Sequence, residues 1–166
     1  MPSISIIIPS RQPEFLQRTV DDLLSKAEGE VEVVVCLDGI WPAPILRDDP
    51  RVVIFHHGSP HDNVGMRGSI NAGMQLARGD YVIKCDEHTM MDQGYDLKLI
   101  ADCKDDWVVI PRRKRLDPEK WALIEDGRPP IDYMYVEYPY LKPFDKTQGL
   151  HGAEWKRPDR SALLID

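Results

Sequence analysis

Short, β-branched apolar runs recur along this chain, and stretches of helical period separate them. Ser3-Ile4-Ser5-Ile6-Ile7-Ile8, Val31-Glu32-Val33-Val34-Val35-Cys36-Leu37, Arg51-Val52-Val53-Ile54-Phe55, Tyr81-Val82-Ile83-Lys84-Cys85 and Trp107-Val108-Val109-Ile110 each read as a strand. Runs this short and this apolar are buried on both faces, which is the signature of a parallel sheet. Between the first two, Pro13-Glu14 opens a helix with Phe15, Val20, Leu23 and Leu24 at helical spacing, and Gly29 ends it. A second helix follows Val64-Gly65, with Met66, Ile70, Met74 and Leu76-Ala77 as its expected apolar face. Asp92 is the expected N-cap of a third, with Tyr95, Leu97, Leu99 and Ile100 on or near its buried side. Strands alternating with helices predict a Rossmann-like three-layer α/β sandwich around a mainly parallel sheet.

After Pro111 the texture changes. Arg112-Arg113-Lys114-Arg115 is a basic run, expected as a solvated face or, failing that, a receiver for an anionic acceptor. Tyr133-Met134-Tyr135-Val136-Glu137-Tyr138 reads as an amphipathic strand, and the glycine-containing stretch from Gly149 to Pro158 as a loop. The chain ends on Ser161-Ala162-Leu163-Leu164-Ile165-Asp166, an apolar strand-like run. The expected organisation is a single compact domain, an α/β half over residues 1–110 followed by the start of a second region over 111–166.

The 166 residues suffice for a real core. A formal charge of −7 argues against non-specific nucleic-acid binding, which depends on Lys and Arg neutralising phosphates. No apolar run approaches a membrane span and no secretory signal is visible, so a cytoplasmic protein is expected. The three cysteines, Cys36, Cys85 and Cys103, match no zinc spacing and fit a reducing compartment.

The chemistry concentrates where the fourth strand ends. Asp86-Glu87-His88 follows Tyr81–Cys85 directly, and the strand period of two points Asp86 and His88 one way and Glu87 the other. A carboxylate and an imidazole side by side can hold a divalent cation. Open α/β sheets bind ligands at that carboxyl edge.

Several segments in order resemble the family 2 glycosyltransferases of A-type fold. Ser5-Ile6-Ile7-Ile8-Pro9-Ser10 resembles their opening strand and nucleotide-binding turn, and Asp38-Gly39 stands where they place a second-strand aspartate. Gly65-Met66-Arg67-Gly68-Ser69-Ile70-Asn71-Ala72-Gly73 is similar to the segment before their metal motif, although Ile70 replaces the usual arginine. Ala77-Arg78-Gly79-Asp80-Tyr81-Val82 matches the lead-in to that motif. The family's Asp-x-Asp is Asp86-Glu87-His88 here, a variant similar to that of the polypeptide N-acetylgalactosaminyltransferases.

The resemblance implies transfer of a hexosyl or N-acetylhexosaminyl group from a nucleotide diphosphate sugar, a UDP-sugar for preference, to an unidentified acceptor: a glycan, a protein or a modified nucleobase. It implies Mn²⁺ or Mg²⁺ held by Asp86 and His88, with His151 as a third ligand. It places Pro9, Ser10, Arg11, Asp38, Arg67, Asp86 and Glu87 at the nucleotide, and Glu154 and Trp155 at the sugar or acceptor. Family members continue past this length, so a truncated or shortened chain is expected, with the catalytic base in the part beyond. Two rival classes are a nucleotidyltransferase, which needs a glycine-rich loop and a lysine where Pro9-Ser10-Arg11-Gln12 stands, and a non-catalytic sugar-nucleotide- or partner-binding module. No Ser-His-Asp or Cys-His arrangement stands out to favour a hydrolase.

Overall fold

The computed structural model describes residues 3–128, 134–136 and 152–154. The chain divides into two compact units, one of Met1–Val109 with Leu116–Ala122, the other of Ile110–Arg115 with Leu123–Asp166.

The first unit is built on four strands: β1 (Ser3–Ser10), β2 (Glu30–Asp38), β3 (Val52–His57) and β4 (Tyr81–Lys84). They lie in the order β3-β2-β1-β4, and every pairing is parallel. A 3₁₀ turn (Pro13–Phe15) leads into α1 (Leu16–Lys26), which connects β1 to β2; α2 (Gly65–Leu76) connects β3 to β4; α3 (Tyr95–Asp102) follows. The two-residue strands β5 (Leu116–Asp117) and β6 (Ala122–Leu123) come next. This is the mixed α/β, mainly parallel architecture that the alternation of runs predicts.

The period of two sorts β1 and β2 onto two faces. Ile4, Ile6, Ile8, Val31, Val33, Val35 and Leu37 form one core cluster with Leu16, Val20 and Leu23 of α1 and Tyr95 of α3. Ile7, Val34 and Cys36 form a second, on the opposite face. That second face meets α2 at close range, because a Cβ on Gly73 would stand 2.6 Å from Cγ2 of Ile7 and 3.0 Å from Sγ of Cys36. Helices therefore cover both faces, as crossovers running in opposite directions along the sheet, from β1 to β2 and from β3 back to β4, require. Burial raises the Cys36 thiol to about 11 and so keeps it a protonated core group.

Three local expectations change. The buried side of α2 is Ser69 and Gly73, while Met66 and Met74 are exposed. Small residues win that face because the helix backbone sits close to the sheet, leaving no room for methionine. The cap of α3 is Gly94 in the left-handed region, and Asp92 instead pairs with Lys98 at 2.6 Å. Residues 107–110 form no strand: Val108 is 89% exposed, and no sheet edge among the described residues engages the run despite its apolar composition.

In the second unit, β7 (Met134–Val136) pairs antiparallel with β8 (Gly152–Glu154), Met134 opposite Glu154. Gly152–Glu154 is thus a strand where a loop was expected. The expected strand at 133–138 is described over its three central residues. Arg115 pairs with Asp126 at 2.8 Å, which ties one end of the basic run.

Candidate active site at the carboxyl edge of the sheet

All four parallel strands present their carboxyl ends at one edge. β1 delivers Ser10, β2 delivers Asp38, β3 delivers His57, and β4 releases Asp86-Glu87-His88 just beyond Lys84. The chain order reverses beside β1, where β2 lies on one side and β4 on the other, and such a reversal opens a crevice at the carboxyl edge.

Asp38 closes one side of that edge. Its carboxylate is 3% exposed and accepts the backbone N–H of Val64 at 2.9 Å and of Gly65 at 2.8 Å. It supplies from β2 the partner that the first N–H groups of α2 lack within the helix, and anionic oxygen there is favoured by the helix dipole. Gly39 follows with φ +81°, and a Cβ on it would fall 2.3 Å from the carbonyl oxygen of Ser59. Glycine at position 39 is therefore required by the turn itself. His57 joins α2 through a 3.0 Å hydrogen bond between Nε2 and the Ser69 hydroxyl. Asp38→Ala should lower the unfolding free energy by about 2–4 kcal/mol, since two charge-assisted bonds to otherwise orphaned N–H groups disappear. Denaturant melts check this; an unchanged midpoint would mean that water replaces the carboxylate without loss.

Glu87 holds the other side. One carboxylate oxygen accepts the Ser10 hydroxyl and the other the backbone N–H of Gln12 at 3.0 Å. The loop that follows is fastened to α1. The Thr19 hydroxyl donates to the Glu87 carbonyl at 2.9 Å and accepts the N–H of Thr89 at 3.2 Å. Asp22 accepts the N–H of Met91 at 2.8 Å, and the Lys26 ammonium donates to the Met91 carbonyl at 2.6 Å. Asp22 also takes the Lys26 ammonium at 2.7 Å and the Trp121 indole N–H at 3.2 Å.

Asp86 and His88, flanking Glu87, are both exposed. Asp86 pairs with the Lys84 ammonium, and His88 has no hydrogen-bond partner among the described residues. Cys85 sits immediately before them, its thiol raised to about 11, chiefly by burial, so it offers no thiolate to a metal or substrate at neutral pH.

The family model of glycosyl transferase family 2 matches residues 5–154. The chain belongs to that family. A search of curated proteins found no match.

Family 2 membership makes the chain a glycosyltransferase domain, with a nucleotide-sugar donor and an acceptor. Among the described residues no helix is long and apolar enough to cross a membrane. Of the residues singled out in the sequence, Pro9, Ser10, Arg11, Asp38, Asp86, Glu87 and His88 stand at the carboxyl edge, on the ends of β1, β2 and β4 or just beyond them. Arg11 is exposed, its guanidinium 3.4 Å from the Pro60 carbonyl oxygen, and Arg67 is exposed in the first turn of α2. Glu154 is described through its backbone in β8, whereas His151 and Trp155 lie outside the described residues.

Sequence reasoning missed Thr19, Asp22 and Lys26, the polar rail of α1. The signal was available: Thr19 and Asp22 are polar but interrupt the apolar face of α1 at helical spacing beside Leu16, Val20 and Leu23, and all five are buried. A buried polar residue needs a partner. Here the partner is the loop that carries the motif.

Asp86 and His88 provide a hard oxygen and an imidazole, and no group of three His, Cys, Asp or Glu residues is gathered among the described residues. A closed structural zinc site needs four protein ligands. A two-donor set instead fits an octahedral cation such as Mg²⁺ or Mn²⁺ whose remaining positions are filled by water and substrate phosphates.

Proposed function

We propose that this family 2 domain transfers a hexosyl or N-acetylhexosaminyl group from a UDP-sugar, with a divalent cation bound through Asp86 and His88. The observation that carries this reading is the pair of exposed side chains, one carboxylate and one imidazole, on a fastened loop beside the end of β1.

In this reading the nucleotide lies along the carboxyl edge from β2 to β4. Asp38 retains lone pairs beyond its bonds to Val64 and Gly65, and these accept from the uracil N3–H or a ribose hydroxyl. Pro9 and Ser10 flank the base, and the exposed guanidinium groups of Arg11 and Arg67 meet the diphosphate as bidentate donors. Bound at Asp86 and His88, Mn²⁺ or Mg²⁺ supplies neutralisation of the charge that grows on the leaving diphosphate. Lys84 gives up its pairing with Asp86 when the carboxylate becomes a ligand. His151 is a proposed third ligand, and Glu154 with Trp155 the proposed sugar- or acceptor-side contacts. A reducing, cytoplasmic setting belongs to the same proposal, supported by three free cysteines.

A thermal-shift panel of UDP, GDP and CDP, each with and without MnCl₂, tests the nucleotide assignment, and release of UDP from UDP-sugars tests turnover. UDP with Mn²⁺ should raise the melting temperature most, because a ligand that binds only the folded state stabilises it in proportion to its affinity. Stabilisation by GDP or CDP and not by UDP would overturn the uracil assignment. Binding without turnover towards any donor would instead favour a non-catalytic module.

A further inference from the structure

We infer that Glu87 is a positioning residue: its carboxylate ties the metal-motif loop to the turn after β1 and thereby aims Asp86 and His88 outward. This rests on the reading of Asp86 and His88 as the cation ligands. The resemblance to the family places Glu87 at the nucleotide, but the geometry gives its oxygens other work. Both are taken by protein donors, the Ser10 hydroxyl and the Gln12 backbone N–H, the latter at 3.0 Å. Ser10 is itself buried, so this link is shielded from competing water.

The consequence follows from where the segment turns. Glu87 and His88 lie in a turn just beyond β4, so the anchored Glu87 carboxylate, and not strand alternation, fixes which way the motif faces. Glu87 is half-buried, and Asp86 and His88 on either side of it are exposed. β4 ends at Lys84, so the sheet ladder does not impose this orientation. The last ladder-like bond is the Cys85 N–H to the Ile7 carbonyl at 2.9 Å, one residue before the motif. From there the loop depends on side chains: Glu87 towards β1, and Thr19, Asp22 and Lys26 of α1 under residues 87–91. The α1 bonds hold the loop's backbone in place. Glu87 sets its rotation about its own axis, and with it the separation of the two ligand side chains. Ligand groups must be held closely for a cation to gain from both of them.

Titration calorimetry of UDP with and without MnCl₂, on the full chain and its variants, tests this. In the wild type Mn²⁺ should tighten UDP at least 10-fold. Glu87→Ala should reduce that gain, taken as the ratio of UDP affinities with and without Mn²⁺ in the same variant, to about 2-fold or less. Glu87→Gln should restore most of it, because the amide oxygen still accepts from Gln12 and the Ser10 hydroxyl can reverse to accept from the amide nitrogen. Ser10→Ala, which leaves the carboxylate in place, should lose part of the gain and covers the case in which Glu87→Ala does not fold. A Glu87→Gln variant as defective as Glu87→Ala would mean that the carboxylate itself meets metal or nucleotide, and would overturn the positioning role. So would an undiminished gain in Glu87→Ala. A wild type with no Mn²⁺ effect would sink the metal reading first, and this inference with it.

Discussion

Asp96→Ala should lower the unfolding free energy by about 3–5 kcal/mol, a loss far above that of an ordinary surface substitution. Asp96 is 1% exposed and lies in the first turn of α3. Its carboxylate accepts the N–H of Gly29 at 2.6 Å and that of Glu28 at 3.1 Å. These two N–H groups belong to the connection between α1 and β2. The same helix turn carries Tyr95, buried, whose hydroxyl donates to the Leu23 carbonyl at 3.2 Å. A single carboxylate thus fixes where the main chain leaves α1 and where α3 docks. Its removal takes the acceptor from two part-buried N–H groups and empties a buried carboxylate site, so charge-assisted bonds are lost from a place that water fills poorly. Asp96→Asn keeps one acceptor oxygen and should lose roughly half as much. Urea denaturation with an unchanged m-value measures both. Equal midpoints for wild type and Asp96→Ala would mean that the connection relaxes to satisfy itself with water.

The second large effect concerns the proposed cation. With UDP present, Mn²⁺ should bind on the order of 10–100-fold more tightly than without it, and by linkage Mn²⁺ should tighten UDP by the same factor. Asp86 and His88, even with His151, would leave much of an octahedral shell to water and phosphate oxygens, so the proposed cation should bind weakly without nucleotide. His88→Ala should remove most of the coupling and leave stability near wild type, since the imidazole is exposed and has no hydrogen-bond partner among the described residues. Asp86→Ala should do the same, with the added release of Lys84 from its ion pair. Surface pairs of this kind contribute little to stability, so a fall in melting temperature is not expected. Equal UDP affinity in wild type and both variants, with and without Mn²⁺, would make Asp86-Glu87-His88 a polar strand end rather than a metal site.

Much of the architecture could be read from local chemistry. The runs at Ser3–Ile8 and Val31–Leu37 are so continuously apolar that only a sheet covered on both faces can hold them, and both became central strands. Of the expected stripe, Val20 and Leu23 lie in the core with Leu24 packed against it, while Phe15 falls in the preceding 3₁₀ turn and Leu16, not singled out in the sequence, takes a buried place. The same logic failed for residues 107–110, where Val108 is almost fully exposed. A strand exists only where a neighbour offers a ladder, and composition does not say whether one is present. It failed on α2 for a related reason. The Met66–Ile70–Met74 stripe is the more apolar face, but Gly73 and Ser69 are the residues that allow close approach to Ile7 and Cys36.

The sequence by itself determined the parallel α/β class, the order of the main elements, the membership of family 2 and the short stretch in which the chemistry gathers. Those properties depend on period, on turn residues and on motif order, all written within a few residues of one another. Tertiary structure alone decided what each acid at the edge does. Asp38, Glu87 and Asp86 are equivalent carboxylates on paper. In the fold one caps α2 through Val64 and Gly65, one fastens the motif loop to Ser10 and Gln12, and one faces solvent beside Lys84. For Asp38 and Glu87 the difference lies in donors that long-range packing brings within 3 Å or so, 26 residues away for Val64 and 75 for Gln12, whereas Asp86 keeps a neighbour two residues away.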